Sequence, residues 1–150
     1  MQNSASIVID RPIEQVFDLT NHHVAEWSIT VVEDELIEDK NNCGLGTRFR
    51  IVTEEKGNRM EFESEVTRWE PPHISEVHLE GTMFNIDAEY VFEDLGGKTR
   101  VTQNSRVQGK GLMKIMFFVM GPFMKKQSCD ATANELQSLK AYCEKQLVMA

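Results

Sequence analysis

Few side chains in this sequence could perform acid–base or nucleophilic chemistry at a defined place. Tyr90 is the one titratable residue that the alternating pattern aims at the interior, where it could act as a general acid or base near a carbonyl. A buried tyrosine whose hydroxyl has found a hydrogen-bond partner is the alternative interpretation. His22 and His23 are adjacent and cannot both point one way on a regular element, and Cys43 has no evident base beside it. The sequence therefore predicts no catalytic residue and no metal site.

Several classes of function are excluded by what the sequence lacks and by its charge. It contains no glycine-rich phosphate-binding motif and no nucleophile elbow, and we expect no cofactor. A net charge of −8 argues against a nucleic-acid partner, because phosphate binding requires a concentrated basic face. The longest apolar stretch, residues 112–124, is interrupted by Lys114 and is shorter than the ~20 residues of a spanning helix. Three cysteines, an odd number, and the absence of a signal-peptide pattern predict a reducing, cytoplasmic setting.

Bulky and flexible apolar residues provide the strongest functional signal. Alternation and helical spacing aim them at the interior, and methionine in particular adapts its shape to irregular apolar ligands. They predict a cavity for a mainly apolar small molecule, although an ordinary filled core would use the same residue types. The candidate ligand contacts are Trp27, Phe49, Phe62, Leu79, Phe84, Tyr90, Met116, Met120, Phe123 and Met124.

Three polar residues share this inward face. Gln103 and Ser105 have the same parity as Val101, and Ser64 alternates with Phe62. Such groups could orient a ligand inside an apolar wall. They could equally form hydrogen bonds with buried water or with helix backbone.

The elements that must position these residues follow from the periodicity of the sequence. Residues 4–10 alternate as a strand, Arg11-Pro12 begins a helix, and residues 24–27 form a second, brief helix. From residue 29 onward the period is two and the turns are short, which predicts an antiparallel meander with one apolar and one charged, solvated face. Its six strands are residues 30–38, 46–55, 59–69, 74–80, 83–93 and 98–107.

The remainder of the chain is predicted to be helical, in two parts. Residues 109–120 are apolar and rich in methionine, Gly121-Pro122 breaks the helix, and residues 123–148 continue far enough to cross the sheet. The first part, as a short separate helix over residues 112–120, could be a hinged gate beside the cavity, or the proline could produce only a static kink. A third interpretation is an interfacial helix, because lysines flank the apolar residues. These are Lys110, Lys114, Lys125 and Lys126.

Several local motifs occur in an order that resembles a known superfamily. They are Ile9-Asp10-Arg11-Pro12-Ile13-Glu14-Gln15-Val16-Phe17, Trp27 before the second strand, Gly44-Leu45-Gly46-Thr47-Arg48-Phe49, and Gly97-Lys98-Thr99-Arg100-Val101-Thr102. With Gly121-Pro122, they are similar to the polyketide cyclase/dehydrase-like branch of the Bet v 1-like, or START-like, superfamily. The resemblance covers the whole chain and implies one domain, residues 1–150, of class α+β. It implies a helix-grip fold, in which a seven-stranded curved antiparallel sheet wraps around a long C-terminal helix, with two short helices after strand one.

The resemblance also implies a function. In this superfamily the space between sheet and helix holds lipids, polyketides or aromatic metabolites, so we predict the binding or carrying of a small, mainly hydrophobic ligand. The alternative is a cyclase or dehydratase that acts on a polyketide-like or aromatic substrate. We expect a small molecule as the partner, no nucleic acid, at most transient membrane contact, and a monomer or homodimer.

Overall fold

One antiparallel sheet and one long helix account for most of the chain. The structure is a computed structural model that describes residues 2–146, apart from the side chains of Pro122 and Phe123. Two short helices follow the first strand, as predicted. In chain order the elements are β1 (Gln2–Ile9), α1 (Ile13–His22), α2 (Val24–Trp27), β2 (Val31–Glu38), β3 (Arg48–Glu55), β4 (Asn58–Glu70), β5 (Ile74–Glu80), β6 (Phe84–Asp94), β7 (Thr99–Gly109) and α3 (Leu112–Lys145).

β2 to β7 form an antiparallel meander, and β1 pairs with β7 at the edge of the sheet opposite β2. The strand order is β1-β7-β6-β5-β4-β3-β2, and every neighbouring pair is antiparallel. Every predicted strand is confirmed, and no end moves by more than two residues. The helix-grip fold of class α+β is confirmed as well.

The predicted break at Gly121-Pro122 is wrong, whereas a kink within a continuous helix stays a prediction. α3 continues as a single helix from Leu112 to Lys145, so residues 112–120 are not a separate helix. A proline inside a helix removes one backbone donor, a cost of about 3 kcal/mol. Packing of the second half of α3 against the core stabilises the continuous helix, because tertiary contacts outweigh local propensity. Residues 147 and 148, which we also predicted to be helical, lie outside the described residues.

A closed apolar core fills one end of the molecule. It is built from α1, α2, the second half of α3 and the facing ends of β1, β6 and β7. Arg11 fastens this end, since its guanidinium donates hydrogen bonds to the backbone oxygens of Glu144 and Gln146 at the end of α3. The buried members are Ile9, Ile13, Val16, Phe17, Leu19, Trp27, Phe92, Val101, Leu136, Leu139 and Cys143.

α3 lies mainly along β1 and β7, at one edge of the sheet. Asn3 on β1 anchors α3 to the sheet. Its amide oxygen accepts a hydrogen bond of 2.9 Å from the Thr132 hydroxyl, and its amide nitrogen donates a hydrogen bond to the Ser128 hydroxyl. Lys140 donates a bond of 2.8 Å to the backbone oxygen of Val8. These contacts place α3 over one side of the inner sheet face. Within residues 2–146, no helix is both long and apolar enough to cross a membrane.

Candidate functional site

The strand register arranges the inner face of the sheet in rows that run across the strands. One row contains Trp69 on β4, Ser75 on β5, Tyr90 on β6 and Gln103 on β7, each paired with the next, and Ala5 on β1 completes it. Along each strand, the residues immediately before and after a member of this row point to the outer face, because successive side chains alternate. The row lies one step from the closed core, whose Phe92 and Val101 form the neighbouring inward pair.

Several inward-facing side chains beyond that row are only partly buried, although their inner-face neighbours Ser64, Val66 and Ala88 are buried. Val77, Leu79 and Ile86 lie on the inner face of β5 and β6, yet each is only half-buried, as is Tyr90. In a core filled to ordinary packing density these side chains would be buried. The partial exposure of these side chains indicates open space between the middle of the inner face and α3.

Three aromatic rings pack together at the other end of this space. The ring centroids of Phe62 and Phe84 are 5.7 Å apart, and those of Phe84 and Phe117 are 6.3 Å apart. Gly81 permits the contact, because a Cβ atom at this position would come within 2.7 Å of the Phe62 ring. The interior is thus bounded by the closed core at one end and by this aromatic cluster at the other.

The row Ser75, Tyr90 and Gln103, called the polar row below, contains unpaired hydrogen-bonding groups inside an apolar surround. The Ser75 hydroxyl and the Gln103 amide oxygen are buried and have no hydrogen-bond partner within residues 2–146. The Gln103 amide nitrogen donates to the Ser105 hydroxyl at 3.3 Å. Buried polar groups without partners are uncommon and cost free energy, so this placement indicates a site for a bound polar atom.

Tyr90 remains neutral at this position. Burial, and secondarily the charge of Glu135, raises the pKa of its hydroxyl above the usual range. The hydroxyl is therefore a donor rather than a phenolate at neutral pH.

Glu135 is a polar residue of the interior that the sequence interpretation missed. Its carboxylate accepts hydrogen bonds from the Ser28 hydroxyl at 2.6 Å and from the Ile29 backbone N–H at 2.8 Å. Burial raises the pKa of this carboxyl group, and the bonds from Ser28 and the backbone oppose the rise. The signal was present, since Glu135 lies three residues after Thr132 and four before Leu139, which are both on the inward stripe of the helix.

The predicted ligand contacts fall in different places. Phe49, Leu79, Ser64 and Ser105 lie on the inner face through the registers of β3–β4, β4–β5 and β6–β7. Trp27 belongs to the closed core, where its indole N–H donates a hydrogen bond of 3.1 Å to the Thr20 backbone oxygen. Met124 is half-buried. Met116 and Met120 are exposed by 45% and 47%, so they face away from the interior. The side chain of Phe123 lies outside the described residues.

Other reactive groups do not assemble into a centre. Burial and the Asp39 carboxylate raise the pKa of the Cys43 thiol, which leaves it protonated and weakly nucleophilic. His22 and His78 bond to Asp18 and Asp87 at 2.8 and 2.7 Å on the surface. In the part of the chain that the structure describes, no group of three His, Cys, Asp or Glu side chains could hold a metal ion.

Comparison with known proteins identifies the family and the fold. Residues 2–144 match the model of a family described as polyketide cyclase/dehydrase and lipid transport, which confirms the resemblance drawn from the local motifs. No curated protein matches the chain in sequence.

Solved structures share the fold at low sequence identity. A START superfamily protein from Mycobacterium smegmatis superposes with a TM-score of 0.82 and is 16% identical, covering 96% of this chain and 97% of its own. A protein from Thermus thermophilus gives a TM-score of 0.79 at 19% identity, with coverage of 96% and 97%. The Zhui aromatase/cyclase from Streptomyces sp. R1128 gives a TM-score of 0.70 at 11% sequence identity, covering 97% of this chain and 94% of its own. Structural similarity at such low sequence identity establishes the fold and nothing more.

Proposed function

The chain belongs to the polyketide cyclase/dehydrase and lipid transport family, and from that premise we propose that it binds a small, mainly apolar molecule between the inner sheet face and α3. The observation that carries the proposal is the polar row, with two buried oxygen atoms that have no partner among the described residues. Half-buried Val77, Leu79 and Ile86 next to this row supply apolar contact area.

The polar row also constrains the chemistry of the ligand. The Gln103 amide oxygen can only accept a hydrogen bond, and the Ser75 hydroxyl can donate or accept. A ligand that satisfies both must therefore carry a donor, such as a hydroxyl or an N–H group, on an otherwise apolar body. We propose a hydroxylated lipid, polyketide or aromatic metabolite as the ligand class.

Ser75→Ala tests this role of the polar row. The unpaired hydroxyl costs stability in the absence of ligand, so we expect its removal to stabilise the free protein by about 1 kcal/mol. The same change should weaken binding of 1-naphthol about tenfold, roughly 1.4 kcal/mol, and leave naphthalene unaffected. Chemical denaturation and competition against a fluorescent apolar probe measure the two effects.

Ser138→Ala is the matched control for the stability measurement. The Ser138 hydroxyl already donates to the backbone oxygen of Trp27, so its removal should destabilise the protein by about 1 kcal/mol. Two results would exclude the polar row as the ligand site. One is equal destabilisation by Ser75→Ala and Ser138→Ala, and the other is binding of 1-naphthol to Ser75→Ala with the affinity of the wild type.

An enzymatic function is the second candidate, favoured by Glu135 and Tyr90. The charge of the partly buried Glu135 carboxylate acts on the Tyr90 hydroxyl, so one donor and one carboxylate are available on the inner side of the molecule. These are the groups that acid–base catalysis of an aldol cyclisation, followed by loss of water, would require.

Tyr90→Phe separates the two candidates. For a carrier we expect ligand affinity to stay within about tenfold, or 1.4 kcal/mol, because the ring supplies most of the contact. For a cyclase, the same change should abolish conversion of a poly-β-keto thioester while binding survives. Mass spectrometry of the products, run beside the binding assay, decides between them, and loss of conversion would overturn the carrier assignment.

A further inference from the structure

The first third of α3 exposes an apolar face. Leu112 and Phe118 are exposed by 83% and 89%, and Ile115 and Val119 by 62% and 68%. At 100° per residue these four side chains share one side of the helix, opposite the half-buried Met113 and Phe117. We call Leu112, Ile115, Phe118 and Val119 the apolar face. An exposed apolar patch of this kind marks an interaction surface.

Charge is distributed very unevenly along the sequence, although Arg100, Arg106 and Lys110 of the basic stretch form ion pairs with acidic side chains on β5 and β6. Residues 95–129 contain seven Lys and Arg and no Asp or Glu, a net charge of +7. The chain as a whole carries −8, so the remaining residues carry −15. The basic stretch includes the apolar face and the lysines on both sides of it. This acidic protein therefore presents the apolar face from its most basic stretch of sequence.

The lysines next to the face are free to bind an anion. No Asp or Glu within residues 2–146 lies within ion-pairing distance of Lys114, Lys125 or Lys126, whereas Lys110 pairs with Glu80 at 3.4 Å. An open groove of about 910 Å³ runs beside the face and contains no acidic side chain. Its lining includes Arg106, Lys114 and Lys125 together with Phe117 and Phe118.

We propose that the apolar face docks reversibly on an anionic lipid bilayer, with its four side chains in the interfacial layer and the lysines at lipid phosphate and carboxylate groups. Apolar area and basic charge on one surface are the two contributions to binding at such an interface. A second copy of the chain fits the face less well. A symmetric dimer would bring the lysines of two copies together, and like charges repel.

Vesicle flotation of the full chain tests the proposal. We expect binding to vesicles of phosphatidylcholine with about a third phosphatidylserine, and at least tenfold weaker binding to phosphatidylcholine alone. Binding should fall as salt rises, because the electrostatic contribution is screened.

Two variants and their matched controls locate the surface. Phe118→Asp should weaken binding at least about tenfold, since it removes the most exposed aromatic ring. The control is Ile37→Asp. Ile37 is half-exposed on β2, so this variant should bind the vesicles as the wild type does. The double change Lys125→Glu and Lys126→Glu should weaken binding at least about thirtyfold. Lys40→Glu with Lys98→Glu makes the same change in net charge and should have a much smaller effect, because Lys98, although part of the basic stretch, precedes β7 at the closed-core end, far from the apolar face.

Three results would overturn the proposal. They are absence of binding to the anionic vesicles, equal losses in the variants and their controls, and a concentration-dependent dimer in analytical ultracentrifugation that Phe118→Asp abolishes. The dimer would assign the face to a second copy of the chain. Binding of 1-naphthol, measured in parallel, reports on the interior site separately, so failure of one proposal does not imply failure of the other.

Discussion

Val77→Trp should abolish binding of an apolar probe, with a loss of affinity of at least a hundredfold, about 2.7 kcal/mol. Val77 is half-buried on the inner face of β5 and borders the open space between the sheet and α3. An indole ring at this position would occupy volume that the ligand needs. Because the space already exists, the ring should not force the surrounding side chains apart, and the free energy of unfolding should change by less than about 1 kcal/mol.

Fluorescence titration with N-phenyl-1-naphthylamine measures this effect, and chemical denaturation measures the stability. Glu65→Trp is the matched control, since Glu65 lies on the outer face beside the same strand and is exposed. It adds the same ring without entering the interior, so the probe should bind as it binds the wild type. In a filled core, Val77→Trp would instead destabilise the fold by about 1–3 kcal/mol through overpacking, and probe binding would be absent from the wild type too.

Leu139→Ala should destabilise the protein by about 2–5 kcal/mol. Leu139 is fully buried in the closed core, among α1, α2 and the facing strand ends. Truncation removes apolar contact area and leaves a cavity that the surrounding core can only partly fill. This is a large share of the roughly 5–15 kcal/mol that a domain of ordinary stability has available.

Leu112→Ala makes the same chemical change in the same helix and is the control. Leu112 is exposed by 83%, so its truncation should change the free energy of unfolding by less than about 0.5 kcal/mol. Urea denaturation of both variants compares the two halves of α3 directly. Equal destabilisation would mean that the first third of α3 is held as firmly as the second half, which would contradict the division described above.

The strands and the two short helices could be predicted from sequence because each had a local signal. Alternation in residues 59–66 and 83–93 is strong enough to specify both the strand and the face of each residue. The bulge between Val66 and Arg68 reverses the parity of β4 and brings Trp69 to the inner face, which alternation did not predict. The behaviour of Pro122 could not be predicted in the same way. Whether a proline breaks a helix depends on packing on both sides of it, here the Phe117 ring on Phe84 before it and Leu136 in the closed core after it, which a local pattern does not contain.

The candidate site was predicted only in part, for a similar reason. Parity placed Tyr90 and Gln103 on the inner face, and the register brings them side by side. The same parity rule would have included Ser75, since Val77 and Leu79 lie on its strand, but serine at a strand end carries no signal by itself. Exposure of Met116 and Met120 depends on where α3 sits along β1, which no helical period specifies.

Intermolecular nuclear Overhauser contacts from bound N-phenyl-1-naphthylamine test the central claim most directly, in protein labelled at its methyl groups. We expect contacts to the methyl groups of Val77, Leu79 and Ile86, the half-buried side chains on the inner sheet face. Contacts confined to Leu112, Ile115 and Val119, on the outside of α3, would show that the probe binds the exposed helix face and would contradict an interior ligand site.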